Sequence, residues 1–262
     1  LEVHDIICMV GEIVVVGGVR RSALISLSNL TDKRMREAKM GAWYNDFAWR
    51  GLANNSVAYT EKPDMETYME EWVSLVKSKS GERGIFNRIA AQNQAAKQGR
   101  DPNLSYGTNP CSEIILRDKQ FCNLTEVVVR QGDTEESLKH KIKLATILGT
   151  LQSNLTHFQF LSHDWVKNTT EERLLGVSLT GIMDAKITSN PDPKLLERLR
   201  DYARRTNHKY ADQLDIPRSK SITCVKPSGT VSQLCNSASG IHARHNDYYI
   251  RTIRMDKKDP IY

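Results

Sequence analysis

Long stretches of helical periodicity alternate with short β-branched apolar runs along this chain, and that alternation restricts it to an α/β architecture. Residues 133 to about 158 open with a capping-box pattern, Asp133 with Glu136, and carry Leu138, Ile142, Ala145, Leu148, Leu151 and Leu155 at helical spacing. Residues 193 to about 214 predict another helix, with Leu196, Leu199, Ala203 and Tyr210 on its buried side. A third spans 64–79: Asp64 caps it, Met65, Tyr68, Met69, Trp72, Val73 and Val76 form an apolar stripe assigned to the core, and Gly81 stops it. Residues 88–98 are Ala-rich and helical, ended by Gly99 and Pro102. Strands are expected at 12–16 (EIVVV), 23–27 (ALISL), 124–130 (LTEVVVR) and 222–225. No repeat or low-complexity linker interrupts the sequence, so one continuous domain over residues 1–262 is the simplest organisation.

A chain of 262 residues with 39% hydrophobic residues can build a sizeable core. No apolar run approaches the length of a membrane span. The five cysteines are odd in number and scattered, without a secretory signal, which argues for a reducing compartment and hence the cytoplasm. The net charge of +6 is dispersed. Its densest cluster, Arg198, Arg200, Arg204 and Arg205, falls on a predicted helix as a solvated face, and aromatics are not interleaved with it as in a nucleic-acid platform. A phosphate-bearing small molecule accounts for the balance, and no nucleic-acid or membrane partner is expected.

Asn109-Pro110-Cys111-Ser112-Glu113 places an amide, a thiol and a carboxylate at alternate positions, and Cys122 follows eleven residues after the first thiol. Pro110 disfavours helix, and an extended segment would set the three side chains on one side, facing one substrate. An amide can hold neighbouring hydroxyls and a carboxylate can take a proton from one of them. The sulfur can serve as nucleophile, metal ligand or one-electron centre. An inert core cysteine fits these polar surroundings poorly. Zinc is not expected, because Cys224, Cys235, His242 and His245 have the spacing C-x10-C-x6-H-x2-H, which matches no common template.

Two loops accompany this motif. Lys226-Pro227-Ser228-Gly229-Thr230-Val231-Ser232 directly follows a predicted strand, and its glycine and small hydroxyl residues suit a backbone cradle for phosphate. A plain strand-to-helix turn is the competing assignment. Gly17-Gly18-Val19-Arg20-Arg21 combines backbone freedom with a planar donor fork, as a recognition loop or an ordinary hairpin would.

Taken in order, GGVRRSA (17–23), ANNSVAY (53–59), TNPCSEI (108–114), FCNLTEV (121–127), GVSLTGIMD (176–184) and KPSGTVSQLCNSASGIHARH (226–245) resemble a ribonucleotide reductase catalytic subunit. The resemblance is to the adenosylcobalamin-dependent class II enzymes, in particular the monomeric ribonucleoside-triphosphate reductase branch. It implies a ten-stranded α/β barrel with a finger loop through its centre, and adenosylcobalamin as cofactor. Cys111 would become a thiyl radical that abstracts the 3′ hydrogen, Glu113 would take the 3′-hydroxyl proton, and Asn109 would bind the ribose hydroxyls. Cys122 would be one member of the dithiol that supplies two electrons. Ser228, Gly229, Thr230 and Val231 would bind the substrate phosphates. Gly18, Val19 and Arg20 would belong to the loop that relays a deoxynucleotide effector. Gly229 stands where diphosphate-reducing relatives carry a larger acidic residue, which favours a triphosphate.

The resemblance also implies a thioredoxin-type dithiol reductant and a partial barrel in residues 1–262, with early and late strands outside it and with no activity as a reductase on its own. Cys122's partner would lie upstream of Leu1, since Cys8, immediately before the glycine-arginine loop, does not match it. A class I-type subunit with a separate metal radical subunit, and a non-catalytic nucleotide-binding remnant, are the alternatives.

Overall fold

The apolar run at 12–16 is split between two elements. In the computed structural model, which describes residues 1–16 and 20–250, helix α1 (Glu2–Ile13) takes its first two residues and only Val15–Val16 form a strand, β1. The chain divides into two units, Leu1–Gln94 with Pro102–Ser112, and Ala95–Asp101 with Glu113–Ile250. Among the described residues no helix is long and apolar enough to cross a membrane.

In the first unit β1 pairs antiparallel with β2 (Arg20–Arg21). The strand expected at 23–27 is β3 (Leu24–Ser28), followed by the short helices α2 (Lys33–Arg36) and α3 (Trp43–Asp46). Strands β3, β4 (Ala53–Tyr59) and β5 (Gly84–Asn87) form a parallel sheet in that order. Between β4 and β5 lies α4 (Met65–Ser78), where Asp64 accepts the Thr67 amide at 2.9 Å as its cap. Helix α5 (Arg88–Lys97) and the two-residue β6 (Gly107–Thr108) follow.

The stripe assigned to the core of α4 is not buried. Met65, Met69, Trp72, Val73 and Val76 are exposed, and the face turned inward carries Glu71 and Ser74. An ionic cluster takes the place of an apolar seam. Arg83 donates to Glu71 through Nε at 3.0 Å and Nη2 at 2.6 Å, and Arg36 Nε donates to the same carboxylate at 2.5 Å. Arg83 also reaches Ser28 Oγ and Asn29 O, both at 2.9 Å, and so ties α4 to the end of β3.

From Glu113 onward the second unit contains β7 (Ile115–Leu116) and β8 (Asn123–Val128). Helix α6 (Glu135–Gln152) starts one residue later than the sequence pattern suggests, because Thr134 and Ser137 form its capping box. It stops near 152, where the buried Arg173 donates to the Ser153 carbonyl at 2.7 Å. Its buried side includes Thr146, Gly149 and Thr150, whereas Leu148, Leu151 and Leu155 are exposed. Small residues let α6 approach β9 closely.

Next come α7 (His163–Glu172), β9 (Leu175–Thr180), α8 (Lys186–Ser189), α9 (Pro193–Gln213) and α10 (Val231–Leu234). Asp192 caps α9, with Pro193 at its first position. The buried face of α9 carries Leu195, Leu199 and Ala203, with Leu196 exposed. Strands β8 and β9 are parallel. The expected strand at 222–225 reduces to one parallel bridge, Val177 to Thr223, reinforced by Cys224 N donating to Val177 O at 3.1 Å. Val127, Val129, Leu175 and Val177 meet Leu138 and Ile142 of α6 and Leu195 and Leu199 of α9 in one core.

Removing the Glu71 charge while its arginines stay buried leaves cations without a partner. Glu71→Gln is expected to lower unfolding stability by about 3–5 kcal/mol, read by urea denaturation. Burial pushes the Glu71 carboxyl up, but hydrogen bonds and charge from Arg83 and Arg36 outweigh it and hold it below the usual value. Its contribution is therefore present above the ordinary glutamate range and lost as pH falls through the lowered folded value. The acid-induced loss of stability should be shallower in Glu71→Gln.

Candidate active site

The β8–β9 sheet has two different faces. One packs on α6 and α9. The other carries Leu124, Glu126, Gly176 and Ser178, because side chains alternate along paired parallel strands. Gly176 is crowded on that side: a Cβ there would stand 2.9 Å from Cys224 Sγ and 2.9 Å from Ile114 Cδ1, and would also meet Leu124. Its hydrogen allows three segments to converge, namely the one after Glu113, strand β8, and residues 221–226.

Glu113 lies in this second unit with its side chain only 1% exposed. Its Oε1 is 3.4 Å from Lys226 Nζ, and its Oε2 is buried with no hydrogen-bond partner. Lys226 is itself anchored, its amide donating to Ser178 Oγ at 2.9 Å. Two thiols feel the carboxylate. Burial, then the Glu113 charge, push Cys122 up to about 11, and the same causes in the same order push Cys224 up to about 12. Lys226 opposes both shifts. Both sulfurs therefore stay protonated at neutral pH, as hydrogen donors require and as thiolate nucleophiles do not.

Asn109 and Cys111 belong to the first unit. Their segment is a turn, not the extended stretch expected from Pro110: Ser112 N donates to Asn109 O at 2.9 Å and Ser112 has φ +64°. Asn54 Nδ2 holds the turn by donating to Pro110 O at 2.8 Å. The Cys111 thiol is exposed.

The loop after residue 225 crosses the end of β9. Gly240, at φ +52°, permits this crossing, since a Cβ there would come within 2.7 Å of the Lys226 carbonyl. Ser228 is buried and its Oγ donates to Glu126 Oε2 at 2.8 Å, whereas Gly229, Thr230 and Val231 are exposed. Gly18 and Val19 lie outside the described residues, and Arg20 falls in β2. Among the described residues no three His, Cys, Asp or Glu side chains converge as a metal site.

Glu113 and Cys122 are thus brought together, with Cys224, Lys226 and Glu126 as further members. Cys224 entered the sequence analysis only as a possible zinc ligand. Lys226 and Glu126 stood inside motifs without a role. For Glu126 the signal was the alternation along β8, which puts it on one face with Leu124.

Comparison with known proteins comes out consistently. No protein-family profile matches the chain. The adenosylcobalamin-dependent ribonucleoside-triphosphate reductase of Lacticaseibacillus paracasei is 30% identical over 304 aligned positions, covering 100% of this chain and 38% of that protein. That of Lactobacillus acidophilus is 28% identical over 299 positions, again covering 100% and 38%. The chain therefore spans 38% of the length of these relatives. The aligned lengths exceed its 262 residues, so the relatives carry insertions within the shared span.

A crystal structure of a B-12 dependent class II ribonucleotide reductase superposes with a TM-score of 0.70 at 24% identity, over 92% of this chain and 36% of that one. The alpha subunit of the Actinobacillus ureae class Id ribonucleotide reductase gives 0.56 at 13% identity, over 85% and 49%. The chain resembles the class II ribonucleotide reductase catalytic subunit along its whole length. Its α/β fold is part of the ribonucleotide reductase fold.

Thiol labelling checks the site electrostatics. At pH 8 iodoacetamide is expected to modify Cys111 well before Cys122 or Cys224, as read by peptide mass spectrometry. Glu113→Gln removes a charge that raises both half-buried thiols, so both should react faster in that variant at the same pH.

Proposed function

We propose that this chain belongs to a ribonucleotide reductase catalytic subunit of the adenosylcobalamin-dependent class and carries the centre that reduces ribonucleoside triphosphates to 2′-deoxyribonucleotides, supplying precursors for DNA. The observation that carries this reading is the Glu113 carboxylate. It is buried, has one oxygen near Lys226 and the other unpartnered, and raises the pKa of two thiols on the same sheet face. A carboxylate with a vacant acceptor, beside sulfur that stays protonated, suits a reaction that needs a base and a reductant together.

In this mechanism Cys111, as a thiyl radical, takes the 3′ hydrogen of the ribose and becomes a thiol. Glu113 Oε2 accepts the 3′-hydroxyl proton, and Asn109 hydrogen-bonds the hydroxyls. The 2′-hydroxyl leaves as water, and a dithiol that includes Cys122 gives two electrons and two protons and closes into a disulfide. Cys111 then returns its hydrogen to C3′. The balance is one ribonucleotide and one dithiol giving one deoxyribonucleotide, one disulfide and one water. Adenosylcobalamin, when bound, supplies the carbon radical that oxidises the thiol. Cys111 suits that partner because its thiol is exposed at a turn.

Gly229, Thr230 and Val231 would bind the substrate phosphates through exposed backbone, and Ser228 would shape that loop. Gly229 stands where diphosphate-reducing relatives carry a larger acidic residue, and this favours a triphosphate. Residues 17–23 would relay a deoxynucleotide effector, and a thioredoxin-type dithiol would restore the reduced enzyme. The cytoplasm suits five free cysteines.

The test replaces the matching segment of the Lacticaseibacillus paracasei reductase with this chain and follows reduction of a ribonucleoside triphosphate with a dithiol. Turnover should require both adenosylcobalamin and Cys111, and Cys111→Ser should abolish it. Activity that needs Cys111 but ignores the coenzyme would assign a separate radical subunit instead. Nucleotide binding without turnover in any combination would leave only a binding module.

A further inference from the structure

We infer that Glu126 is a positioning residue for the phosphate loop: through Ser228 it holds the backbone that presents Gly229, Thr230 and Val231 to the substrate. The inference rests on the proposed role of that loop in binding phosphate.

Ser228 has φ +54°, a left-handed conformation that a serine adopts only when its surroundings hold it there. Three contacts do so. Its hydroxyl, on a residue only 2% exposed, donates to Glu126 Oε2 at 2.8 Å. Its carbonyl accepts from Ser232 Oγ at 2.5 Å and from Ser239 Oγ at 2.9 Å. Ser232, in the first turn of α10, and Ser239, just beyond that helix, both follow Ser228 closely in sequence, so they close the segment on itself. Glu126 is different in origin. It stands on β8, 102 residues earlier, and fixes the closed loop to the sheet face that carries Leu124, Gly176 and Ser178.

The position of the carboxylate excludes direct phosphate binding by Glu126, since like charges repel. It also commits the Ser228 hydroxyl, which is spent on Glu126 and is not offered to the ligand. The loop's remaining donors are backbone groups and the Thr230 hydroxyl, on residues that face solvent. Their direction depends on Ser228, and the direction of Ser228 depends on Glu126.

Tripolyphosphate and a ribonucleoside triphosphate are titrated calorimetrically into the 262-residue chain and four variants, with folding followed by circular dichroism. Glu126→Ala should weaken both ligands about tenfold, the effect of losing a hydrogen bond to a charged acceptor. Glu126→Gln keeps an acceptor oxygen for Ser228 and should bind nearly as the unaltered chain does. Ser228→Gly needs no holding at positive φ. The double variant Glu126→Ala with Ser228→Gly should therefore regain most of the affinity that Glu126→Ala loses, a rescue that a general loss of stability would not show. Glu126→Ala with undiminished affinity, or Glu126→Gln as weak as Glu126→Ala, would overturn the inference while the phosphate loop stands. No binding of either ligand by the unaltered chain would remove the phosphate loop itself, and the inference with it.

Discussion

A missing side chain at Gly176 sets the geometry of the candidate site. Strand β9 is flanked by β8 and by residues 221–224, and at Gly176 the side chains of Leu124, Cys224 and Ile114 close over its backbone. Any Cβ would have to displace a sulfur at 2.9 Å and a methyl group at 2.9 Å. Ile114 follows Glu113 directly, so this packing delivers the carboxylate to the sheet. Close approach, rather than loop flexibility, is what glycine provides here.

The burial that follows from this packing governs the chemistry. Low solvent access pushes both thiols up and leaves each of two carboxylates, Glu113 and Glu126, with one unpartnered buried oxygen. A buried acceptor without a donor is costly, and one lysine offsets only part of that cost. Such a site is stabilised by a ligand that brings hydroxyl donors. The same low polarity that makes the empty site expensive strengthens each bond a substrate forms there. Glu71 illustrates the contrast in the first unit, where a buried carboxylate has two arginines, leaves no vacancy and has a structural role.

Much of the fold was legible because periodicity and caps are local. The helix starts read at 64, 133 and 193 fall within a residue of the observed caps Asp64, Thr134 and Asp192. Errors arose where packing overrides pattern. The α4 stripe looked like core, yet Arg83 and Arg36 pull Glu71 inward and turn the stripe to solvent. In α6 Leu138 is buried as expected, but further along Leu148 and Leu151 gave way to Thr146, Gly149 and Thr150, where Gly149 lies against Leu175. Of the site, the Asn-x-Cys-x-Glu spacing and Cys122 could be read directly. The extended geometry assumed for the motif could not survive Ser112 at positive φ. Cys224 and Lys226 join Glu113 through pairing more than 100 residues away in sequence, which no local pattern reports.

The most direct measurement of this account is Gly176→Ala, examined by urea denaturation together with the alkylation rate of Cys224. Inserting a methyl group where three segments meet should lower stability by about 1–3 kcal/mol, the usual cost of overpacking. It should also expose the Cys224 thiol, so that alkylation at fixed pH accelerates while the helical circular dichroism persists. A variant with unaltered stability and an unaltered Cys224 rate would contradict the convergence at Gly176, and with it the assembly of carboxylate and thiols on one face of the sheet.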